Sequence, residues 1–473
     1  MNNKKYSLWS ITFIFIFIFS SSFYSNLWKS NRIIVDAPSY YTYLPSLFIY
    51  GDLHLNYIDK NAHFFKDKIW YYKIEYGKKL IKHPMGVSVL LAPFFIVGHW
   101  IAGWINSPQD GYSMPYQNAV TIGVLFYLFV GLCFLRKILI NYFSEGIIAI
   151  TLIAIVLGTN LLWYSTFEAL MPHAISFSLW AICLYTFLNW LETETKKQLL
   201  FFSIAFGLIV LIRPLSAVSI LFFSVYGIID KGGLIKFSTF IKKYFKTVLL
   251  AAIVACFIAS LQLCYWKYAT GHWLYDVYKE EHFIFNSPQI IPFLFSFRKG
   301  VFVYTPILFF SVIGLIYFFK QNKAFFYSIV VLMSISIYLL SSWWAWSYGI
   351  CWAMRPMIDY YAILSIPFAA GINYFSKQSR YIYIIQIAII SLLITLNLFQ
   401  TWQYKNGLIH YDDMSKEAYF KGFFQTKVTD EWKDLLKPYD WNRRIIGLPQ
   451  IKYSEKFLKL LENNKPLVCE EVI

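Results

Sequence analysis

Residues 111–137 read GYSMPYQNAVTIGVLFYLFVGLCFLRK, a charge-free run that ends abruptly on Arg136 and Lys137. Crossing a hydrocarbon layer ~30 Å thick takes about 20 apolar residues in a helix, and this run is long enough. Its basic exit marks a cytoplasmic edge, because lysine and arginine accumulate in short cytoplasmic loops. Comparable runs, free or nearly free of Asp, Glu, Lys and Arg, occupy 6–28, 84–109, 146–167, 169–191, 247–266, 300–319, 324–354, 360–376 and 381–404. Two shorter ones, 198–212 and 214–229, are separated by the single charge of Arg213, followed by Pro214. A helix satisfies its own backbone in lipid, so these runs predict an all-α polytopic membrane protein.

Composition points the same way. Only 14% of the 473 residues are charged and 58% are hydrophobic, against about one charge in four for a soluble domain. An ordinary soluble enzyme is excluded, and so is disorder. The formal charge of +16 and the 21% aromatic content favour membrane lipids as partners. Nucleic acid is not expected, since no segment offers a soluble basic face. The six cysteines, at 133, 183, 256, 264, 351 and 469, show no C-x-x-C spacing, which argues against a structural metal site or a disulfide framework. Only Cys351 and Cys469 would share the outer side.

Lys4 and Lys5 precede the first run, whose exit at Ser20-Ser21-Ser22 lacks a small-x-small cleavage site. An uncleaved anchor with a cytoplasmic amino terminus is therefore expected. Arg136/Lys137, Lys196/Lys197, the cluster Lys231 to Lys246, Lys320/Lys323 and Lys377/Arg380 should share that side. Parity then allows only an odd number of crossings between residue 28 and Arg136. The segment 84–105, which opens His83-Pro84 and carries Pro93, is expected to be interfacial or re-entrant on the outer side. With 199–229 as a hairpin bent at Arg213-Pro214, the count is about 11 transmembrane helices, or nine if the hairpin is re-entrant. The predicted organisation is a membrane module over 1–402, with interfacial helices in the outer loop 29–115, and a small extracytoplasmic tail or cap over 403–473 with a helix near 454–462. In a bacterium the host would be the plasma membrane.

Three hydrophilic regions, 29–83, 268–299 and the tail, share the outer face with the turns 165–173 and 342–358. Asp36 lies a few residues past the first span. Under aromatic cover near the membrane boundary its pKa could be raised to suit general-base work on a hydroxyl. Equally, it could cap a helix starting at Ala37-Pro38. Arg355 sits in an aromatic turn running from Trp343 through Trp346 to Tyr361, and an arginine fork matches phosphate oxygens. The plainer reading is an interface belt in which Arg355 pairs with Asp359 at i, i+4. Arg213, an expensive charge between apolar runs, is a candidate phosphate ligand or a cap for the hairpin. Glu168 and His173 bring a second acid and an imidazole to the outer turn 165–173. With Asp36 they leave a divalent-metal site open, although no metal ligand set is assigned. Arg298 and Lys299 break the positive-inside trend, as lipid-phosphate ligands or as snorkelling anchors.

The order of these features resembles the GT-C superfamily of membrane glycosyltransferases, in particular the protein O-mannosyltransferases and relatives that use polyprenyl-phosphate sugars. The resemblance rests on Asp36 just after the first span, the outer loop ending in His83-Pro84-Met85-Gly86, and about eleven spans. The family has a His-Pro-Pro-type motif where this chain has His-Pro-Met-Gly, and Asp36 is followed by Ala-Pro rather than by Glu. The resemblance implies inverting transfer of a sugar from a polyprenyl-phosphate donor to a hydroxyl of a protein, lipid or glycan acceptor on the outer face. Asp36 and Glu168 would be catalytic. Tyr40, Tyr41, His83, His173, Arg213, Arg298, Lys299, Trp346, Arg355 and Asp359 would bind substrate. The competing class is a transporter or flippase for a lipid-linked or anionic substrate, which predicts mid-membrane polar residues in several spans.

Overall fold

A computed structural model describes residues 5–66, 68–74, 77–279 and 281–445. The described residues are mainly helical, and the one sheet among them is a two-stranded antiparallel hairpin, Tyr71–Lys73 against Lys79–Ile81, in the first loop. Seven helices among the described residues are long and apolar enough to cross a membrane. They are Tyr6–Tyr24, Gly86–Trp104, Met114–Leu139, His173–Thr193, Phe245–Thr270, Lys323–Ser342 and Arg380–Lys405, with an eighth if Pro214–Asp230 and Leu234–Lys243 count as one bent span.

The count falls short of eleven because several apolar runs are split. The run 146–167 breaks after Glu145–Leu157, where Gly158 ends the helix and Leu161–Ser165 forms a separate turn. The runs around 199–212 and 360–376 become the helices Lys196–Ile212 and Tyr361–Ser376, of 17 and 16 residues, at the short limit for a crossing. Segment 84–105 departs from expectation in the other direction. It forms one continuous helix, Gly86–Trp104, through Pro93. A proline removes one helical donor and crowds the preceding turn, so a carbonyl there needs another partner. The carbonyl that loses its donor is that of Val89; one residue on, the Leu90 carbonyl accepts from the Tyr127 hydroxyl at 2.9 Å, which ties this turn to Met114–Leu139.

His173–Thr193 is the central helix, 78% buried along its apolar window, against 11% for Phe245–Thr270 and 17% for Arg380–Lys405 at the rim. It packs on Met114–Leu139, Lys196–Ile212 and Tyr361–Ser376. Close packing depends on small residues, as between helices in lipid. A Cβ on Gly314 would lie 1.8 Å from the Pro367 carbonyl oxygen, so only glycine lets Phe309–Phe318 seat against Tyr361–Ser376. The two ends of the bundle differ. At one end Ser7, Arg136 and Glu145 form a shared network, with Arg136 2.6 Å from Glu145. At the other end the first loop, the 165–173 turn, the 268–299 segment, the 342–358 turn and the tail converge. The tail contributes the short helices Lys416–Gly422, Asp430–Lys433 and Trp441–Ile445, and the expected helix at 454–462 and Cys469 lie outside the described residues.

Candidate active site

The first loop delivers its carboxylate from a constrained backbone. Val35, a β-branched residue, holds φ +57°, a conformation that costs energy and must be imposed by its surroundings. Asp36 then begins the helix Ala37–Tyr41 but makes no capping hydrogen bond with its side chain. Its carboxylate instead meets Arg355 across the bundle, Nη2 to Oδ2, at 2.8 Å. The cap reading and the Arg355–Asp359 pairing are both replaced by this long-range contact.

Arg355 opens a short 3-10 turn, Arg355–Tyr360, two residues after Ala353 at φ +51°. The turn is braced from below. Tyr164 accepts from the Trp352 backbone N–H at 2.9 Å, and Asn160 donates to the Trp352 carbonyl at 3.2 Å while accepting from Tyr361 at 2.7 Å. These two bracing residues were missed in the sequence, although a polar Asn160 and a tyrosine four positions on within an apolar run are a legible signal. Arg355 Nη1 is buried with no hydrogen-bond partner among the described residues, and so is Glu168 Oε2. A buried donor and a buried acceptor left open beside an ion pair are sites for a ligand's polar atoms.

The two carboxyls titrate in opposite directions. Burial pushes Asp36 up, but the positive charges of Arg355 and Lys82, the hydrogen bond from Arg355, and at low pH the protonated His83 outweigh it and hold the carboxyl below its ordinary 3.8. This overturns the expected raised pKa, because the guanidinium was not visible in the local sequence. Burial raises Glu168, helped by the negative charge of Asp36 and only partly offset by Trp163 and Arg355. One carboxylate is thus ionised and the other biased toward its proton, the usual sign of divided roles.

His83 packs its ring on Tyr40, centroids 4.4 Å apart, while its backbone N–H donates to Ser39 and its carbonyl accepts from Tyr43. Burial lowers its pKa to about 4, so the imidazole is neutral near pH 7. Gly86 explains the close of the His-Pro-Met-Gly motif: a Cβ there would lie 2.6 Å from the Ile212 backbone nitrogen. The helix start is therefore drawn against the residue before Arg213. Lys82 is buried against Trp70, Tyr72 and Tyr278 and pairs with Glu281 at 2.6 Å.

A second ionic group lies behind the first. Asp359 receives Arg213 Nη1 at 2.7 Å on one oxygen and His173 Nδ1 at 3.1 Å on the other. Lys299 is buried and donates to the Cys351 carbonyl. Asp36, Tyr40, His83, Glu168, Arg213, Asp359, His173, Lys299 and Arg355 are thus gathered at one end of the bundle. Three expected ligands point elsewhere. Tyr41 donates to the Gly111 carbonyl at 2.5 Å and packs on Phe95 and Tyr112. Arg298 holds the tail through Asp412, Asp413 and the Lys437 carbonyl, and Trp346 packs toward Tyr439. Asp36, Glu168 and His173 do not assemble as metal ligands, since Asp36 is engaged by Arg355 and His173 by Asp359. Among the described residues no three His, Cys, Asp or Glu side chains form a metal-binding group.

No protein family and no curated protein matches the sequence. Among solved structures the chain is similar to the Archaeoglobus fulgidus oligosaccharyltransferase. The apo form matches at 13% identity and a TM-score of 0.44, over 90% of this chain and 61% of that one. The form in complex with Zn and sulfate matches at 13% identity and a TM-score of 0.42, over 83% and 54% respectively. The chain thus spans less than two thirds of the length of those proteins.

Proposed function

We propose that this chain is an integral membrane glycosyltransferase of the GT-C type, moving a sugar with inversion from a polyprenyl-phosphate donor to an acceptor hydroxyl. The reaction is placed on the extracytoplasmic face, with the amino terminus cytoplasmic and the carboxyl terminus outside. The observation that carries this reading is the Asp36–Arg355 pair, in which the arginine keeps a second buried nitrogen free. The donor phosphate takes that nitrogen and draws the guanidinium toward itself. Asp36 is then released as base for the acceptor O–H.

The acceptor oxygen bonds to the anomeric carbon as the bond from that carbon to the phosphate oxygen breaks on the opposite face. The proton passes to Asp36, and the electron pair leaves on the phosphate, where Arg355 stabilises it. Glu168, holding its proton, donates to a substrate oxygen and positions it. Tyr40 and His83 form the wall beside the reacting centre, with His83 neutral. The test is transfer by the purified protein in lipid, assayed by mass spectrometry with a panel of polyprenyl-phosphate sugars. Transfer by the native chain with loss in Asp36→Asn, donor binding being kept, supports the reading. A fully active Asp36→Asn removes the base assignment, and no transfer from any lipid-linked donor removes the function.

A further inference from the structure

The opposite end of the bundle carries a different surface. After Ile220–Asp230 the chain turns at Gly232 and Gly233, at φ +81° and +118°, and bends by 104° into Leu234–Lys243. This ten-residue helix, LIKFSTFIKK, buries none of its side chains completely. One face leans on the bundle through Phe240, whose ring lies 5.1 Å from Trp190. Phe237 and Ile241 are half-buried on the same side, whereas Leu234 and Ile235 face outward, 67% and 84% exposed, with Phe245 just beyond the helix at 59%.

Five lysines, 231, 236, 242, 243 and 246, lie along this elbow, and after Asp230 no acidic residue follows until Asp276. Lys231 is used by the Leu191 carbonyl and Asp230, and Lys243 by Glu194. Lys236, Lys242 and Lys246 are exposed and have no ion-pair partner among the described residues. Lys231 and Lys243 tie the elbow to the far end of His173–Thr193, whose first residue stands in the candidate site. That helix has 21 residues, a length of about 30 Å, close to the thickness of a hydrocarbon layer. When the site lies at one membrane surface, the elbow therefore lies at the other.

We infer that Leu234–Lys243, with the lysines flanking it, is a docking surface for the anionic headgroups of the leaflet opposite the active site, with Leu234, Ile235 and Phe245 inserted among the acyl chains. A short helix that pairs exposed apolar residues with unpaired lysines matches an interfacial segment in both respects. Each lysine near an anionic surface contributes roughly a fivefold preference, screened by salt.

The full chain in nanodiscs containing phosphatidylcholine and phosphatidylglycerol tests this by native mass spectrometry of retained lipid. Phosphatidylglycerol should be enriched over the bulk ratio. The triple variant K236Q/K242Q/K246Q should lose most of the enrichment, while Ile235→Glu should loosen the contact with the lysines intact. Sugar transfer and thermal unfolding of these variants in neutral lipid should match the native chain, since none of the positions is in the site or packed in the core. Unchanged enrichment in the triple variant would overturn the inference. So would displacement of the retained lipid by millimolar inorganic phosphate, which would mark an isolated phosphate site, or retention of a copurifying protein in place of lipid.

Discussion

Two arginine–aspartate pairs stand side by side in this protein and are built differently. In the pair behind, Asp359 is 4% exposed and uses both oxygens, one on Arg213 and one on His173. In the pair in front, Asp36 is 20% exposed and Arg355 13%, and only one nitrogen of the fork is taken. The group at Asp359 has both carboxylate oxygens engaged and is suited to hold Lys196–Ile212, His173–Thr193 and the 355–360 turn in register. The open one has a buried donor to spare and can change partners. Burial alone did not separate them; the count of satisfied atoms did.

The comparison can be broken at several points, beginning with the largest effect. Asp36→Asn should lower sugar transfer by about 10²–10⁴-fold, the contribution of a positioned base, with a smaller fall in unfolding temperature than Asp359→Asn, because Asp36 is the more exposed carboxylate and has one oxygen in the pair rather than two. A comparable loss of stability would show the front pair to be structural after all. Asp359→Asn should do the reverse. Leaving Arg213 buried without its carboxylate costs about 3–5 kcal/mol, read as a lowered unfolding temperature in detergent or lipid. Third, Arg355→Lys keeps the charge but not the fork, and should weaken donor binding by about tenfold, the scale of one charge-assisted hydrogen bond, measured as KM for the lipid donor.

The pH response of the two front carboxyls sharpens the same contrast. Because Asp36 is held below 3.8, its contribution to stability is complete above that ordinary value and is lost as pH falls through the lower folded value. Glu168 acts oppositely. Its raised folded pKa favours the folded state at low pH, and that advantage fades as pH rises from the ordinary 4.5 through the folded value. Unfolding measured as a function of pH on both sides of the ordinary carboxylate range should lose the second trend in Glu168→Gln and keep it in Asp36→Asn. The smallest effect expected is from Gly86→Ala. The 2.6 Å approach to Ile212 must open, at a cost of about 1–3 kcal/mol, with transfer reduced through Arg213 rather than abolished.

Much was legible in the chain before any coordinates. Charge-free runs long enough to span lipid announce themselves, since the solvent they require is written in composition alone. Asp36, His83, Glu168, Arg213 and Arg355 also stood out, because a charge beside apolar sequence is costly and asks for a reason. The number and continuity of spans were less legible. Pro93 read as a break, yet the helix runs on through it, its turn tied to the next helix by the Tyr127 hydroxyl on the Leu90 carbonyl; Gly158 and Asn160 read as part of a run, yet they end a helix.

What composition and local pattern determined by themselves was the medium, the helical class and the shortlist of chemical residues, because each depends on neighbours in sequence. What only the tertiary structure decided was pairing. Asp36 and Arg355 are far apart in the chain, and the sign of the Asp36 shift follows from the distance between them. Electrostatic energy depends on separation in space, and sequence spacing measures that only along a single helix. The same rule took Arg355 from Asp359, its neighbour by spacing, and gave it to Asp36, its neighbour in the fold.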